Sequence, residues 1–143
     1  MDEISGSADT DPEAMLLRAA LLTHSGSLPA AERTCHRLLE IDTRSAGAHV
    51  LLAMCREEEQ DLPAAVDHCR TAITFDPEFA MPHVHLGRLA RRLGDLGTAR
   101  RQYAQSARLL PSETNRRILL FGGGFDREAL ISLCRTQSAT GEK

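Results

Sequence analysis

Tryptophan is absent from this chain, tyrosine occurs once and phenylalanine four times. Aromatics at 3% exclude a core of stacked rings, so alanine and leucine, within a 42% hydrophobic composition, must do the packing. No apolar run reaches the roughly 18 residues that a membrane-crossing helix needs. The N-terminus, Met1-Asp2-Glu3-Ile4-Ser5-Gly6-Ser7, lacks the basic and apolar regions of a secretory signal, so a cytoplasmic location is expected, with neither membrane insertion nor nucleic acid as a partner. The four cysteines, Cys35, Cys55, Cys69 and Cys134, form no CxxC pair, and in a reducing compartment they stay thiols.

What is present is a repeat. Gly26-Ser27-Leu28-Pro29-Ala30-Ala31, Gln60-Asp61-Leu62-Pro63-Ala64-Ala65 and Gly94-Asp95-Leu96-Gly97-Thr98-Ala99 are versions of one turn spaced 34 residues apart. Ile41-Asp42-Thr43, Phe75-Asp76-Pro77 and Leu109-Leu110-Pro111 recur in step, as do Cys35 and Cys69. A fixed period of about 34 is that of the tetratricopeptide repeat, a pair of antiparallel helices that cannot bury its apolar face alone and stacks on its neighbours. The expected fold is therefore an all-α solenoid of three helix-turn-helix repeats, 12–45, 46–79 and 80–113, with first helices near 13–25, 46–59 and 80–93 and second helices near 29–41, 63–75 and 97–109. Residues 1–11, polar and acidic without periodicity, read as a disordered lead-in.

The second and third repeats supply small residues where the two helices must approach: Ala53, Ala65 and Ala72, then Gly87, Ala99 and Ser106. Pro77 and Pro111 end their second helices. The first repeat keeps Ala19, Ala31 and Cys35 but places Arg18 and Thr43 where Leu and Pro are usual, as suits a terminal repeat. Beyond residue 113 the period breaks. Residues 114–143 hold the apolar run Arg117-Ile118-Leu119-Leu120-Phe121, a bend at Gly122-Gly123-Gly124, and a helix over about 126–137 capped by Asp126, with Phe125 and Leu130 placed as a hydrophobic staple. That helix is expected to cover the open face of the third repeat, with Phe121, Phe125, Leu130, Ile131 and Leu133 buried there.

Charge is uneven along the chain. Residues 1–79 hold 15 acidic and 6 basic side chains, whereas residues 80–143 hold 5 acidic and 11 basic. This asymmetry fits either a charged partner on one half or attraction within the molecule. The expected concave groove, built from the first helix of each repeat, carries Glu13, Leu16, Ala20, Thr23 and His24 in repeat one, Gly47, Val50, Met54, Glu57 and Glu58 in repeat two, and Met81, Val84, Arg88, Arg91 and Arg92 in repeat three. Arginine clusters hold carboxylates by paired hydrogen bonds, and Val50, Met54, Met81 and Val84 would offer an apolar floor to a helix or extended peptide. The alternative is that the arginines pair with Glu57 and Glu58 while the C-terminal segment fills the floor.

Other groupings carry less. His49 and His83 occupy the same repeat position, normally a bulky packing residue, and lack the further ligands of a tetrahedral metal site. Asp67-His68-Cys69 spells a thiol triad, but neighbours on a helix point in different directions, so a buried inert thiol is expected. The apolar run, glycines and helix mimic a strand, phosphate turn and helix, yet the remaining chain has no room for a dinucleotide fold. No cofactor, metal or catalytic residue is assigned.

The segment Phe79-Ala80-Met81-Pro82-His83-Val84-His85-Leu86-Gly87-Arg88-Leu89-Ala90-Arg91-Arg92-Leu93-Gly94, followed by Leu119-Leu120-Phe121-Gly122-Gly123-Gly124-Phe125-Asp126-Arg127-Glu128-Ala129-Leu130-Ile131-Ser132-Leu133-Cys134-Arg135, resembles the C-terminal tetratricopeptide region of bacterial CheR-type chemoreceptor methyltransferases. In that family the repeats follow a catalytic domain that methylates receptor glutamates with S-adenosylmethionine. The resemblance implies a regulatory or targeting module, not an enzyme, because the catalytic domain does not fit in the remaining residues. The implied partner is a protein or peptide: a chemoreceptor, another chemosensory protein or the cognate methyltransferase domain, in cis or in trans. The rival reading is a chaperone or secretion adaptor that holds apolar peptide segments.

Overall fold

The computed structural model describes residues 10–140. The expected lead-in therefore lies outside the described residues except for Thr10 and Asp11, and Asp11 already caps the first helix, its carboxylate accepting the N–H of Glu13 at 3.1 Å. The helices are α1 (Pro12–His24), α2 (Leu28–Ile41), α3 (Ala46–Glu58), α4 (Leu62–Phe75), α5 (Met81–Arg92), α6 (Leu96–Leu109), a 3-10 turn (Leu110–Ser112), α7 (Asn115–Phe121) and α8 (Arg127–Thr140).

Local chemistry sets these boundaries. Ser45, Asp61, Asp95 and Thr114 each accept the backbone N–H three residues on, satisfying donors that the first helical turn leaves open. Proline stands in the first turn of α1, α2, α4 and α5, where its missing N–H costs nothing. The turn inside each hairpin needs a left-handed residue at the same repeat position: Gly26 at φ 85°, Gln60 at φ 66° and Gly94 at φ 82°.

The helices pair as α1–α2, α3–α4 and α5–α6, and the hairpins stack with α1, α3 and α5 side by side on the inner face. Small residues allow the close approach: Ala19, Ala31, Cys35, Ala53, Ala65, Cys69 and Ala72 are all buried. At Gly87 a Cβ would stand 3.1 Å from the Tyr103 ring, so glycine lets α5 settle onto that ring. Burial pushes the Cys35 and Cys69 thiols up to about 12 and those of Cys55 and Cys134 up to about 11, so all four are packing groups. No helix among the described residues is long and apolar enough to cross a membrane.

α8 covers α6, with Leu130 and Cys134, one turn apart, buried against it. Asp126 caps it as expected, accepting the Ala129 N–H at 2.8 Å, and Arg127 ties its first turn to the Leu110 carbonyl and the Asn115 side chain. The expected membership of the cap is corrected in three places. Leu133 lies off the Leu130–Cys134 stripe and stays 37% exposed; Phe125 precedes the helix and stays 56% exposed, so it does not share the burial of Leu130. Phe121 is buried elsewhere, because residues 115–121 form a helix that runs into the groove. That helix also removes the strand required for a strand-turn-helix phosphate site.

Candidate peptide-binding groove

α7 touches both α1 and α5, the inner helices of the first and third repeats, and the Phe121 ring reaches the α3 helix between them. A segment that meets all three inner helices lies in the concave groove. A Cβ on Gly47 would stand 3.1 Å from the tip of the Phe121 ring and 3.0 Å from Leu16, so this glycine opens the floor for the ring. Phe79 meets the same ring edge to face, with centroids 5.3 Å apart.

Two histidines hold the backbone of α7. His24 Nε2 donates to the Leu120 carbonyl at 2.9 Å and His85 Nε2 donates to the Phe121 carbonyl at 3.0 Å. These carbonyls belong to the last turn of α7, where no further helical N–H is available to them. Arg88 donates to His85 Nδ1 at 2.8 Å, which puts the ring hydrogen on Nε2 and aims it at the carbonyl. Burial, reinforced by the Arg88 charge, lowers the His85 pKa to about 3, so the ring is neutral.

Of the expected groove residues, Glu57, Arg88 and Arg92 come together, but with one another. Arg88 grips Glu57 through two hydrogen bonds of 3.1 and 2.6 Å, and Arg92 adds a third at 3.0 Å while also donating to Gln60. Burial opposes ionisation of Glu57, but the two guanidiniums overcome it and hold its pKa below the usual carboxylate value. Arg91 is exposed and makes no ion pair among the described residues. Val50, Met81 and Val84, expected as an open floor, are buried, and Met54 is partly buried. The packing of the inner helices and α7 accounts for this closure. The arrangement meets in part the alternative raised by the sequence: Arg88 and Arg92 pair with Glu57 and the C-terminal segment reaches the floor, but Arg91 and Glu58 do not join the pairing. Further bridges, Arg117–Asp76 and Arg116–Glu13, also join the basic half to the acidic half.

The filling is partial. Beside His24 a cavity of about 370 Å³ remains, lined by Thr23, His24, Leu28, Met54, Glu57, Glu58 and Arg88. His24, an expected inner-helix position of the first repeat, belongs to the site. Phe79, in the loop before α5, also belongs to it and was not among the expected groove residues; its role shows only once α7 is placed.

The histidines at the shared repeat position pack. His83 donates from Nδ1 to Gln102 at 2.7 Å, and the equivalent pair in the second repeat is His49 and His68, with Nδ1 atoms 3.1 Å apart. Burial first, then the neighbouring His49, lowers the His68 pKa to about 4. Among the described residues no group of three or more His, Cys, Asp or Glu side chains is arranged to hold a metal ion.

Stacked helical hairpins with a concave inner face define a tetratricopeptide-type helical-repeat protein, a protein-interaction fold. Within that class the chain is similar in structure to PcrH from Pseudomonas aeruginosa, with a TM-score of 0.74 over 92% of each chain at 16% identity. It is also similar to PcrH in complex with the chaperone binding region of PopB, with a TM-score of 0.71 over 88% of this chain and 93% of that one, at 17% identity. In sequence it is 32% identical over 94 residues to WspC of Pseudomonas putida (strain KT2440), named as a probable biofilm formation methyltransferase. The match takes in 66% of this chain, which spans only 22% of that relative's length. No protein-family model matches the chain.

Proposed function

We propose that this chain is a protein-interaction module that regulates or targets a receptor methyltransferase of the WspC kind, and that it has no catalytic activity itself. The observation that carries this reading is the 32% identity with WspC over 94 residues, because likeness to solved structures at 16–17% identity speaks to fold alone. The groove geometry supports it: inner-face side chains already hold main-chain carbonyls and an aromatic ring, the contacts by which a helical-repeat surface retains a peptide. The functional target is the methyltransferase catalytic domain or the cytoplasmic part of its chemoreceptor.

Titration calorimetry of the chain against a purified WspC-type catalytic domain, and separately against the cytoplasmic fragment of its receptor, tests the proposal. Saturable binding to either supports it; binding to neither overturns it. The rival chaperone reading starts from the fold shared with PcrH, which has been solved with the chaperone binding region of PopB. It requires instead that the chain bind apolar segments of several unrelated secreted proteins.

A further inference from the structure

We propose that the groove is a site for a short segment presenting one aromatic side chain and the two backbone carbonyls beside it, and that Ile118–Gly122 occupies it as a ligand in cis until a partner segment of that chemistry takes its place. This deepens the interaction-module reading and rests on it for the existence of a partner.

The contacts that hold α7 are those of a peptide in a receptor. His24 and His85, from the first and third repeats, donate to consecutive carbonyls, and main-chain carbonyls are the same in any peptide. Specificity comes from the socket of Phe79, Gly47 and Leu16, which takes a ring. The imidazole of His85 is set in advance by Arg88 and Glu57, so the site is organised by solenoid side chains and not by the segment.

The segment is also built to leave. A seven-residue helix is too short to persist without tertiary contacts. It is followed by Gly122, Gly123 and Gly124, the last two at φ 63° and 92°, and beyond them α8 is independently packed on α6. Release of α7 therefore leaves the three hairpins and their cap in contact. Leu119, on the outer side of α7, is 78% exposed, so the segment is covered on one side only. The cavity beside His24 and Arg88 adjoins the carbonyl-holding histidines, so a partner longer than the resident segment gains contacts there that α7 does not make.

The test uses a fluorescent synthetic peptide with the sequence of residues 113–124, added to the full chain and to two variants. Phe121→Ala empties the socket. Gly122→Ala unseats the segment while keeping its phenylalanine, because the new Cβ would stand 2.4 Å from the Ile118 carbonyl oxygen. A tethered segment competes at an effective concentration of roughly millimolar, so the unsubstituted chain should bind the peptide at least about tenfold more weakly than either variant. A peptide with alanine in place of its phenylalanine should lose the gain. Equal binding by all three chains, absence of binding to a variant of unchanged helicity, or indifference to the peptide's phenylalanine would each overturn the site. A chain that takes the peptide but neither the methyltransferase nor the receptor would leave this site standing and sink the proposed function; a chain that binds either protein while the variants refuse the peptide would do the reverse.

Discussion

Phe79 and Phe121 meet edge to face at 68°, and the Arg117 guanidinium lies 4.0 Å from the centre of the Phe79 ring. The ring that closes the loop between α4 and α5 is thus packed by two residues of α7. Aromatic pairs of this geometry contribute about 0.5–1.5 kcal/mol beyond the area they bury. Phe79→Leu, Phe121→Leu and the double variant, unfolded in urea, should show a coupling of that size. Strictly additive losses would mean that the rings only share a solvent-free space.

Glu113 is the second tie between the C-terminal segment and the solenoid. Its Oε1 accepts the Ala80 N–H at 2.6 Å, at the start of α5, and its side chain is only 3% exposed. Hydrogen bonds to a buried charged group contribute about 1.5–3 kcal/mol, so Glu113→Ala should lower stability by that amount. Arg116→Ala breaks only an exposed 3.7 Å bridge to Glu13 and should change stability by less than about 0.5 kcal/mol. Comparable melting shifts for the two would refute the anchoring role of Glu113.

The solenoid was legible because its signals are local. Period, caps, turn residues and small packing positions all act within one hairpin or between neighbours, and Ala65, Cys69 and Tyr103 sit where the repeat requires. Sequence left open whether the C-terminal segment or a partner occupies the groove, because that depends on where the chain goes once the repeat period ends after residue 113. An apolar run of five residues is too short to show helical period, and Phe121, expected in the cap, instead reaches the floor. The arginines show the same limit. Arg88 and Glu57 lie 31 residues apart, and sequence leaves open whether a charge on an inner face meets a partner molecule or its own chain.

Gln60 is the one non-glycine residue at positive φ among the described residues, in the turn where the other hairpins use Gly26 and Gly94. A side chain in the left-handed region costs about 1–2 kcal/mol. Gln60→Gly removes that cost but also loses an exposed hydrogen bond from Arg92 and loosens the unfolded chain. The net expectation is a gain of up to about 1 kcal/mol, a few degrees in Tm. Gly26→Ala and Gly94→Ala should each lower Tm through the backbone alone, because an added Cβ meets nothing within 4 Å at either site. A fall in Tm for Gln60→Gly would show that the Arg92–Gln60 contact outweighs the strain.

His85 makes the groove sensitive to acid, with a definite sign. Its imidazole takes up a proton near about 6.5 when the chain is unfolded but only at about 3 when folded, because burial and then the Arg88 charge oppose the cation. The unfolded state therefore binds more protons below about pH 6.5, and this group's contribution is lost as pH falls from there towards 3, by up to about 1.4 kcal/mol per unit. Above that window it adds no pH dependence. His85→Gln keeps a donor for the Phe121 carbonyl and an acceptor for Arg88 but cannot titrate. Urea unfolding at pH 7 and pH 5 should show the original chain losing about 2 kcal/mol more than the variant, while the parallel loss from His68 stays in both. Because His85 holds the end of α7 directly, amide protection factors over residues 115–122, corrected for the intrinsic rate at each pH, should fall on acidification before those of α3 and α4. Parallel stability losses in the two chains, with α7 no more exchangeable than the hairpins, would show that His85 neither carries the acid sensitivity nor governs the seating of the segment.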